Sequence, residues 1–378
     1  MDNPIRVLHV FASLDRGGAE AMIMNLYRNI DRSKVQFDFV VNKSDYTYAH
    51  EKEIRLLGGK VFYLPRYTIT NHIKYKKSWQ TLLREHPEWK IVHGHHTTPA
   101  FIYLKIAKQF NRTTIAHSHT AGFDRTIKSK MKVLMRVQVK NIADYLFACS
   151  KKAALWMYGN KHHYAKVIKN SIDAKLFIYN KDNRYKKRKE LKLNNKFVIG
   201  HIGRFQKQKN HDFIIEIFKE ILKRNSNALL LLIGNGELMD KIKNKISDLG
   251  IKENVIIIGS RSDVPELLHA MDVFLMPSIY EGLPVTVIEA QASGLKCIIS
   301  DNITQEVKIT NNVEFISLNQ SPEYWVKEVM KYDNGYEREN MYKKICESGY
   351  DVKDNAKKLE EFYLSEGLYD REKNKGKF

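Results

Sequence analysis

Two glutamates eight positions apart, Glu281 and Glu289, bracket the run Glu281-Gly282-Leu283-Pro284-Val285-Thr286-Val287-Ile288-Glu289. The pattern predicts a loop that passes into a helix. Ser278 and Glu281 fall in the loop, Gly282 permits a turn, and Pro284 suits a first helical position. Glu289 then lies more than a turn inside the helix. The free N–H groups of Gly282, Leu283 and Val285 would face whatever sits at the helix start, and such ends attract phosphate. One acid could hold sugar hydroxyls above a diphosphate while the other holds a ribose below it. The same spacing also fits an ordinary capped helix with a solvated glutamate, so the rest of the chain has to decide.

Other segments carry compatible chemistry. In Gly203-Arg204-Phe205-Gln206-Lys207-Gln208-Lys209-Asn210, Arg204 can bind phosphate oxygens bidentately and Lys209 adds a compact second cation. A departing diphosphate needs that neutralisation, although surface cations are common in so basic a chain. Gly234-Asn235-Gly236-Glu237-Leu238 opens like a dinucleotide fingerprint, but Met239 occupies the third glycine position and no acidic residue ends the next strand. It reads better as a turn near a nucleotide. Asp15-Arg16-Gly17-Gly18-Ala19-Glu20 follows the first strand; its paired glycines allow a positive φ and amides aimed at an anion, or simply a tight turn. Thr114-Ile115-Ala116-His117-Ser118-His119 ends a strand with two imidazoles, either of which can donate to a sugar hydroxyl or serve only the core.

The elements that must position these groups are legible as apolar runs alternating with helix-period segments. In the first half the runs are Val7–Phe11, Phe37–Val41, Val61–Leu64, Ile91–His93, Thr114–His117 and Tyr145–Ala148. In the second they are Phe197–His201, Leu229–Ile233, Val255–Ile258, Val273–Leu275, Cys297–Ile299 and Phe315–Ile316. Short apolar strands separated by helices imply parallel sheets covered on both faces. Two sets in 378 residues imply two doubly wound α/β domains. The expected boundary follows residue 170, where a polar segment carrying Arg184, Lys186, Lys187, Arg188 and Lys189 reads as a solvated helix face at a linker. After Pro322 the pattern is helical to the end, with Asp354–Leu368 amphipathic.

Composition narrows the function classes. Lys and Arg outnumber Asp and Glu by 63 to 43, and a net charge of +20 draws anionic partners. No aromatic ribonucleoprotein pattern, zinc spacing or helix-turn-helix accompanies that surplus, so a nucleic-acid partner is not expected. Three scattered cysteines fit a reducing cytoplasm, and neither a signal peptide nor a membrane span is visible. Lys128, Lys132, Arg136 and Lys140 recur every four residues beside Met131, Leu134, Met135 and Val139. Such a basic amphipathic helix can lie on an anionic bilayer, or can merely pair a solvated face with a core-facing one.

In order and spacing these motifs resemble glycosyltransferase family 4, especially bacterial enzymes of capsule and exopolysaccharide assembly, over about residues 5–300. The resemblance implies the GT-B fold: two Rossmann-like parallel-sheet domains, 1–170 on the acceptor side and 171–350 on the nucleotide-sugar side, facing a central cleft. A terminal helix, about 351–378, would return to the first domain. It implies a retaining, metal-independent hexosyltransferase without a cofactor, using a nucleotide diphosphate-sugar, UDP being the commonest. The acceptor would be a saccharide, polyprenyl-diphosphate-linked if the enzyme sits peripherally on the inner membrane face. Arg204 and Lys209 take the phosphate roles; Gly203, Gly234 and Gly236 flank the nucleotide, and Arg261 lies in the stretch facing the base. Glu289 holds the ribose; Ser278, Glu281, Gly282, Leu283 and Val285 orient donor groups; Gly17 and Gly18 close over the terminal phosphate and sugar. The family's active-site histidine aligns with His119, His117 being the alternative. A sugar-nucleotide epimerase of the same fold is the nearest enzymatic rival, and a basic nucleic-acid-binding protein is the rival of another class.

Overall fold

The computed structural model describes residues 3–15, 17–96, 98–119 and 138–367. They fall into two compact units, one containing residues up to Ser171 and those from Val352 onward, the other spanning Ile172–Asp351.

The first unit is built on a seven-stranded sheet. Its strands are β1 (Ile5–Val10), β2 (Val35–Asn42), β3 (Val61–Leu64), β4 (Trp89–Gly94), β5 (Thr113–Ser118), β6 (Tyr145–Ala148) and β7 (Lys166–Val167). They lie in the order β3-β2-β1-β4-β5-β6-β7, every pair parallel. Alternate side chains serve opposite faces, as the pleat requires. Val7, Phe37 and Phe39 join the cluster that includes Met22 and Leu26 of α1 (Gly18–Asn29) and Ile54 of α2 (Glu51–Leu56). Leu8, Val10 and Val40 join the opposite one, with Trp79 and Leu83 of α3 (His72–Glu85) and Tyr103 and Leu104 of α4 (Ala100–Gln109). The helix Val352–Gly367 covers the α1 face, burying Val352, Ala356, Leu359 and Tyr363. Its last residue must be small, because a Cβ at Gly367 would sit 2.6 Å from Ile5 Cδ1.

The second unit repeats the plan with six parallel strands: β8 (Phe197–Ile202), β9 (Ala228–Ile233), β10 (Val255–Ile257), β11 (Val273–Met276), β12 (Lys296–Ser300) and β13 (Val313–Ile316), ordered β10-β9-β8-β11-β12-β13. Leu229, Leu231 and Ile233 face one cluster, and Ala228, Leu230 and Leu232 the other. Burial on both sides explains why β9 reads as an unbroken apolar run. The strand order reverses between β8 and β11, and between β1 and β4 in the first unit. Ligands of such sheets bind beyond the carboxyl ends of the strands at that reversal.

Two expectations need correction. The basic run is not a solvated face at a linker. In the helix Lys181–Glu190, Arg184 and Arg188 both reach Asp272 (2.6 and 3.2 Å) and donate to backbone carbonyls of Ala270, while Lys187 pairs with Asp263 at 2.7 Å. Only Lys186 and Lys189 of the group stay exposed. The chain after Pro322 is not continuously helical: helices Pro322–Met330, Tyr342–Glu347 and Val352–Gly367 are separated, with positive φ at Gly335 (77°) and Gly349 (75°). The two-residue β7 was not foreseen, being too short for a period. Lys128, Lys132 and Arg136 of the basic stripe lie outside the described residues; Lys140 donates to Asn160 Oδ1 at 2.8 Å.

Candidate active site

At the reversal in the second unit, the loops after β8 and β11 are stitched together. Ile279 N–H donates to the Gln208 carbonyl at 2.8 Å, and Asn210 Nδ2 to the Pro277 carbonyl at 3.0 Å. Asn210 adopts the left-handed conformation (φ 57°), which asparagine tolerates better than most residues, and so turns the chain into the next helix. Lys209 Nζ then meets Glu281 Oε1 at 2.7 Å, and Gln208 Nε2 donates to Glu281 Oε2 at 3.1 Å. The Lys209 and Glu281 side chains keep 14% and 9% of their surface, so this pair is shielded enough for its charges to matter. Arg204 is exposed, and its guanidinium has no intramolecular partner among the described residues.

The helix Val285–Ala292 begins one residue later than expected: Pro284 is the extended N-cap (φ −72°, ψ 107°) and not the first helical residue. The N–H groups of Gly282, Leu283 and Val285 have no backbone acceptor among the described residues. Gly282 does not require glycine. Its φ lies outside the left-handed region, and an added Cβ would meet nothing within 4 Å. Ser278 is fully buried, and its Oγ has no partner among the described residues. The Glu289 carboxylate has no hydrogen bond or ion pair among the described residues, although it retains some surface; burial pushes it up to about 7. An isolated carboxylate held this way gains from any hydroxyl brought to it.

The flanking glycines are places of close backbone approach. A Cβ at Gly234 (φ 141°) would lie 2.1 Å from the Gly203 carbonyl, and one at Gly236 2.4 Å from that of Phe205. Gly203 itself would bring a Cβ to 2.8 Å from His201 Nε2. These three residues thus set the shape of the Arg204 turn. Arg261 is occupied: its fork grips Asp263 through Nε and Nη2, both at 2.8 Å, which holds the Asp263 carboxyl well below its usual range.

In the first unit Gly17 is the N-cap of α1 with φ −96°, and Gly18 lacks a positive φ, so the pair forms a plain helix start and not a left-handed nest. His117 and His119 belong to a five-histidine cluster that was not anticipated as one. His9 Nδ1 meets His95 Nε2 at 3.0 Å, and His95 Nδ1 meets His119 Nε2 at 2.7 Å. Alongside, Tyr363 Oη meets His93 Nδ1 at 2.6 Å, and His93 Nε2 meets His117 Nδ1 at 3.1 Å. His9 and His95 are within 10° of coplanar, and His93 and His117 within 16°. Edge-to-edge N–H···N bonding between neutral rings has this geometry. Burial keeps them neutral, pushing His9 and His119 down to about 3. Two trios, His9-His93-His95 and His95-His117-His119, bring ring nitrogens within 4.8 Å. Mutual bonds occupy one nitrogen of His9, both of His95 and one of His119, whereas His9 Nε2 and His117 Nε2 have no partner among the described residues. His119 is partly exposed and His117 is 1% exposed, so His119 is the more accessible of the two candidates. The signal for the cluster was the alternation His93-Gly94-His95 and His117-Ser118-His119 on adjacent parallel strands, which puts every imidazole on one face.

Residues 16–176 match the model of Glycosyltransferase Family 4, and residues 182–352 that of Glycosyl transferases group 1. EpsF of Bacillus subtilis, described as a glycosyltransferase, is 33% identical over 95% of this chain and 96% of its own. The capsular polysaccharide biosynthesis glycosyltransferase CapH of Staphylococcus aureus is 25% identical, covering 96% of this chain and all of its own. The UDP-Gal:alpha-D-GlcNAc-diphosphoundecaprenol alpha-1,3-galactosyltransferase of Escherichia coli is 28% identical over 64% and 66%. Among solved structures, a glycosyltransferase of Rickettsia africae aligns over 98% of this chain and 100% of its own with a TM-score of 0.77 at 16% identity. With two parallel Rossmann-like sheets and matches of this extent, the chain belongs to glycosyltransferase family 4 and has the GT-B fold.

Proposed function

We propose that this protein is a retaining, metal-independent hexosyltransferase that takes its sugar from a UDP-sugar and adds it to a saccharide carried on a polyprenyl diphosphate. The product would be a bacterial capsule or exopolysaccharide. The observation that carries the reading is the Lys209–Glu281 pair within the two stitched loops, with Arg204 in the first loop and Glu289 in the helix after the second, both side chains without a partner among the described residues. The names of CapH and the Escherichia coli galactosyltransferase support the polymer, the UDP donor and the lipid-linked acceptor.

In this reading Glu289 accepts from the ribose hydroxyls. The diphosphate lies against the free N–H groups at the start of Val285–Ala292, with Arg204 and Lys209 as counter-charges. Glu281, oriented by Lys209 and Gln208, accepts from sugar hydroxyls. The C1–oxygen bond to the diphosphate breaks as the acceptor oxygen bonds C1 on the same face, and the acceptor proton passes to a diphosphate oxygen. Two cations and a helix start supply the stabilisation a divalent ion gives elsewhere. His119 donates to a sugar hydroxyl, its ring held by His95. No helix of the described residues is long and apolar enough to cross a membrane, and the enzyme would work from the cytoplasmic side.

Incubation with a panel of nucleotide sugars, with and without EDTA, tests the reading through release of nucleoside diphosphate. Slow EDTA-resistant hydrolysis of UDP-sugars is expected, with the anomeric configuration kept in the transferred product by NMR. Release that stops in EDTA and returns with Mg²⁺ or Mn²⁺ would refute metal independence. An isomerised free sugar would indicate an epimerase.

A further inference from the structure

The outer face of α3 combines two features that a solvated surface has no reason to combine. Tyr75, Trp79, Leu82 and Leu83 point into the core, so the opposite side of the helix is its outer face. There Ile73 is 71% exposed, and Ile69 in the preceding turn is 61% exposed. Lys74, Lys76 and Lys77 surround Ile73, all exposed, and none pairs with a carboxylate among the described residues. Residues 54–84 contain no Asp or Glu, yet they carry Arg55, Lys60, Arg66, Lys74, Lys76, Lys77 and Arg84. A groove of about 1050 Å³ lies beside them, its lining including Leu64, Ile69, Ile73, Lys74, Lys77 and the acid Glu85. The charge extends to α4, where exposed Lys105 lines a second groove with Lys76 and Phe101.

We propose that this α3 face docks on an anionic lipid bilayer, with Ile69 and Ile73 inserted at the headgroup–acyl boundary and the lysines among lipid phosphates. A nucleic acid would satisfy the cations but would leave two aliphatic side chains against phosphate and water. A bilayer satisfies both kinds of group, because its headgroup region is anionic and the layer beneath is apolar. Glu85 is the one acid lining the groove, and residues 54–84 carry none, so little repulsion opposes such docking. The face is separate in sequence from the 128–140 stripe. Its purpose rests on the lipid-linked acceptor reading, whereas the binding itself does not.

Flotation of the full chain with vesicles of phosphatidylglycerol in phosphatidylcholine, against phosphatidylcholine alone, tests the proposal. Binding is expected on the anionic vesicles only, weakening as salt rises. Each lysine near an anionic surface contributes about fivefold in partition, so Lys74→Glu/Lys76→Glu/Lys77→Glu should lower it by at least about a hundredfold. Ile69→Ser/Ile73→Ser should lower anionic binding while leaving the salt dependence in place. All five positions are exposed, and circular dichroism will verify that the variants fold. Calorimetric UDP affinity, measured on the same preparations, should not change. If wild type binds no UDP, the donor reading fails while the vesicle result still stands. Equal flotation of variants and wild type overturns the proposal. So does wild-type binding to neutral vesicles as strong as to anionic ones. Duplex DNA binding at physiological salt that the triple reversal abolishes, with no vesicle binding, would assign the face to nucleic acid instead.

Discussion

Replacing Glu289 by glutamine separates what its carboxylate costs the fold from what it holds. The carboxyl sits at about 7 against an ordinary 4.5 because burial disfavours its charge. The folded chain therefore binds this proton more tightly than the unfolded chain does. The stability so gained is fully present below the unfolded value and is lost as pH rises through about 7. At about pH 8.5 the ionised group lowers stability by at most about 3 kcal/mol, and the surface it retains reduces that to about 1–2 kcal/mol. Glu289→Gln keeps the shape and cannot ionise. It should exceed wild type by that amount in urea unfolding at about pH 8.5 and differ little at about pH 4. UDP binding should move the other way, because ribose hydroxyls lose a charged acceptor worth about 1.5–3 kcal/mol, which is roughly ten- to a hundredfold in affinity. In wild type, affinity should rise with pH through about 7, with protons released to buffer on binding, visible by calorimetry in two buffers of unlike ionisation heat. A variant no more stable than wild type at high pH would refute the partnerless buried charge. Unchanged UDP affinity would refute the ribose assignment.

Lys209→Ala removes the cation facing Glu281 and should depress kcat by about a hundredfold, more than it weakens UDP binding; steady-state kinetics with kcat within twofold of wild type would overturn the phosphate role. Tyr363→Phe strips His93 Nδ1 of its buried partner and should lower stability by about 1–3 kcal/mol in denaturant titration. Asp272→Ala leaves Arg184 and Arg188 without their carboxylate and should cost about 3 kcal/mol, read as a lower melting temperature. Gly234→Ala drives a Cβ into the Gly203 carbonyl at a strained φ, so both stability and UDP affinity should fall; an unperturbed variant would contradict the packing of these two turns.

The strand plan was legible because burial on both faces writes parallel strands as plain apolar runs. Leu229–Ile233 and Val273–Leu275 fall within β9 and β11. What the sequence hid were arrangements made by tertiary contact. Arg184 and Arg188 look like solvent cations until Asp272, some 85 residues on, comes beneath them. The Lys209–Glu281 pair spans 72 positions, and each residue was singled out for a ligand without sight of the other. The histidines appeared as separate strand ends. Only the order β1-β4-β5 shows that His9, His93, His95, His117 and His119 adjoin. Glycine was over-read: Gly17, Gly18 and Gly282 adopt backbone angles open to other residues, whereas Gly234 and Gly236 are glycine because another chain segment presses on them.

The second unit is an insertion in the first. Its ends lie side by side, with Ile172 bridging Asp351 and Ile172 N–H bonded to the Tyr350 carbonyl at 2.9 Å. A ribosome delivering this chain therefore releases the first unit's sheet long before the helix Val352–Gly367 that covers one of its faces. Until that helix arrives, Tyr27, Phe37 and the buried histidines await their lid. The second unit, whose residues are contiguous, can close as soon as Asp351 emerges. Maturation thus runs inside out, with the second unit complete first and the first sealed by the last sixteen described residues. A stop codon a few dozen positions early would spare one half and leave the other permanently uncapped.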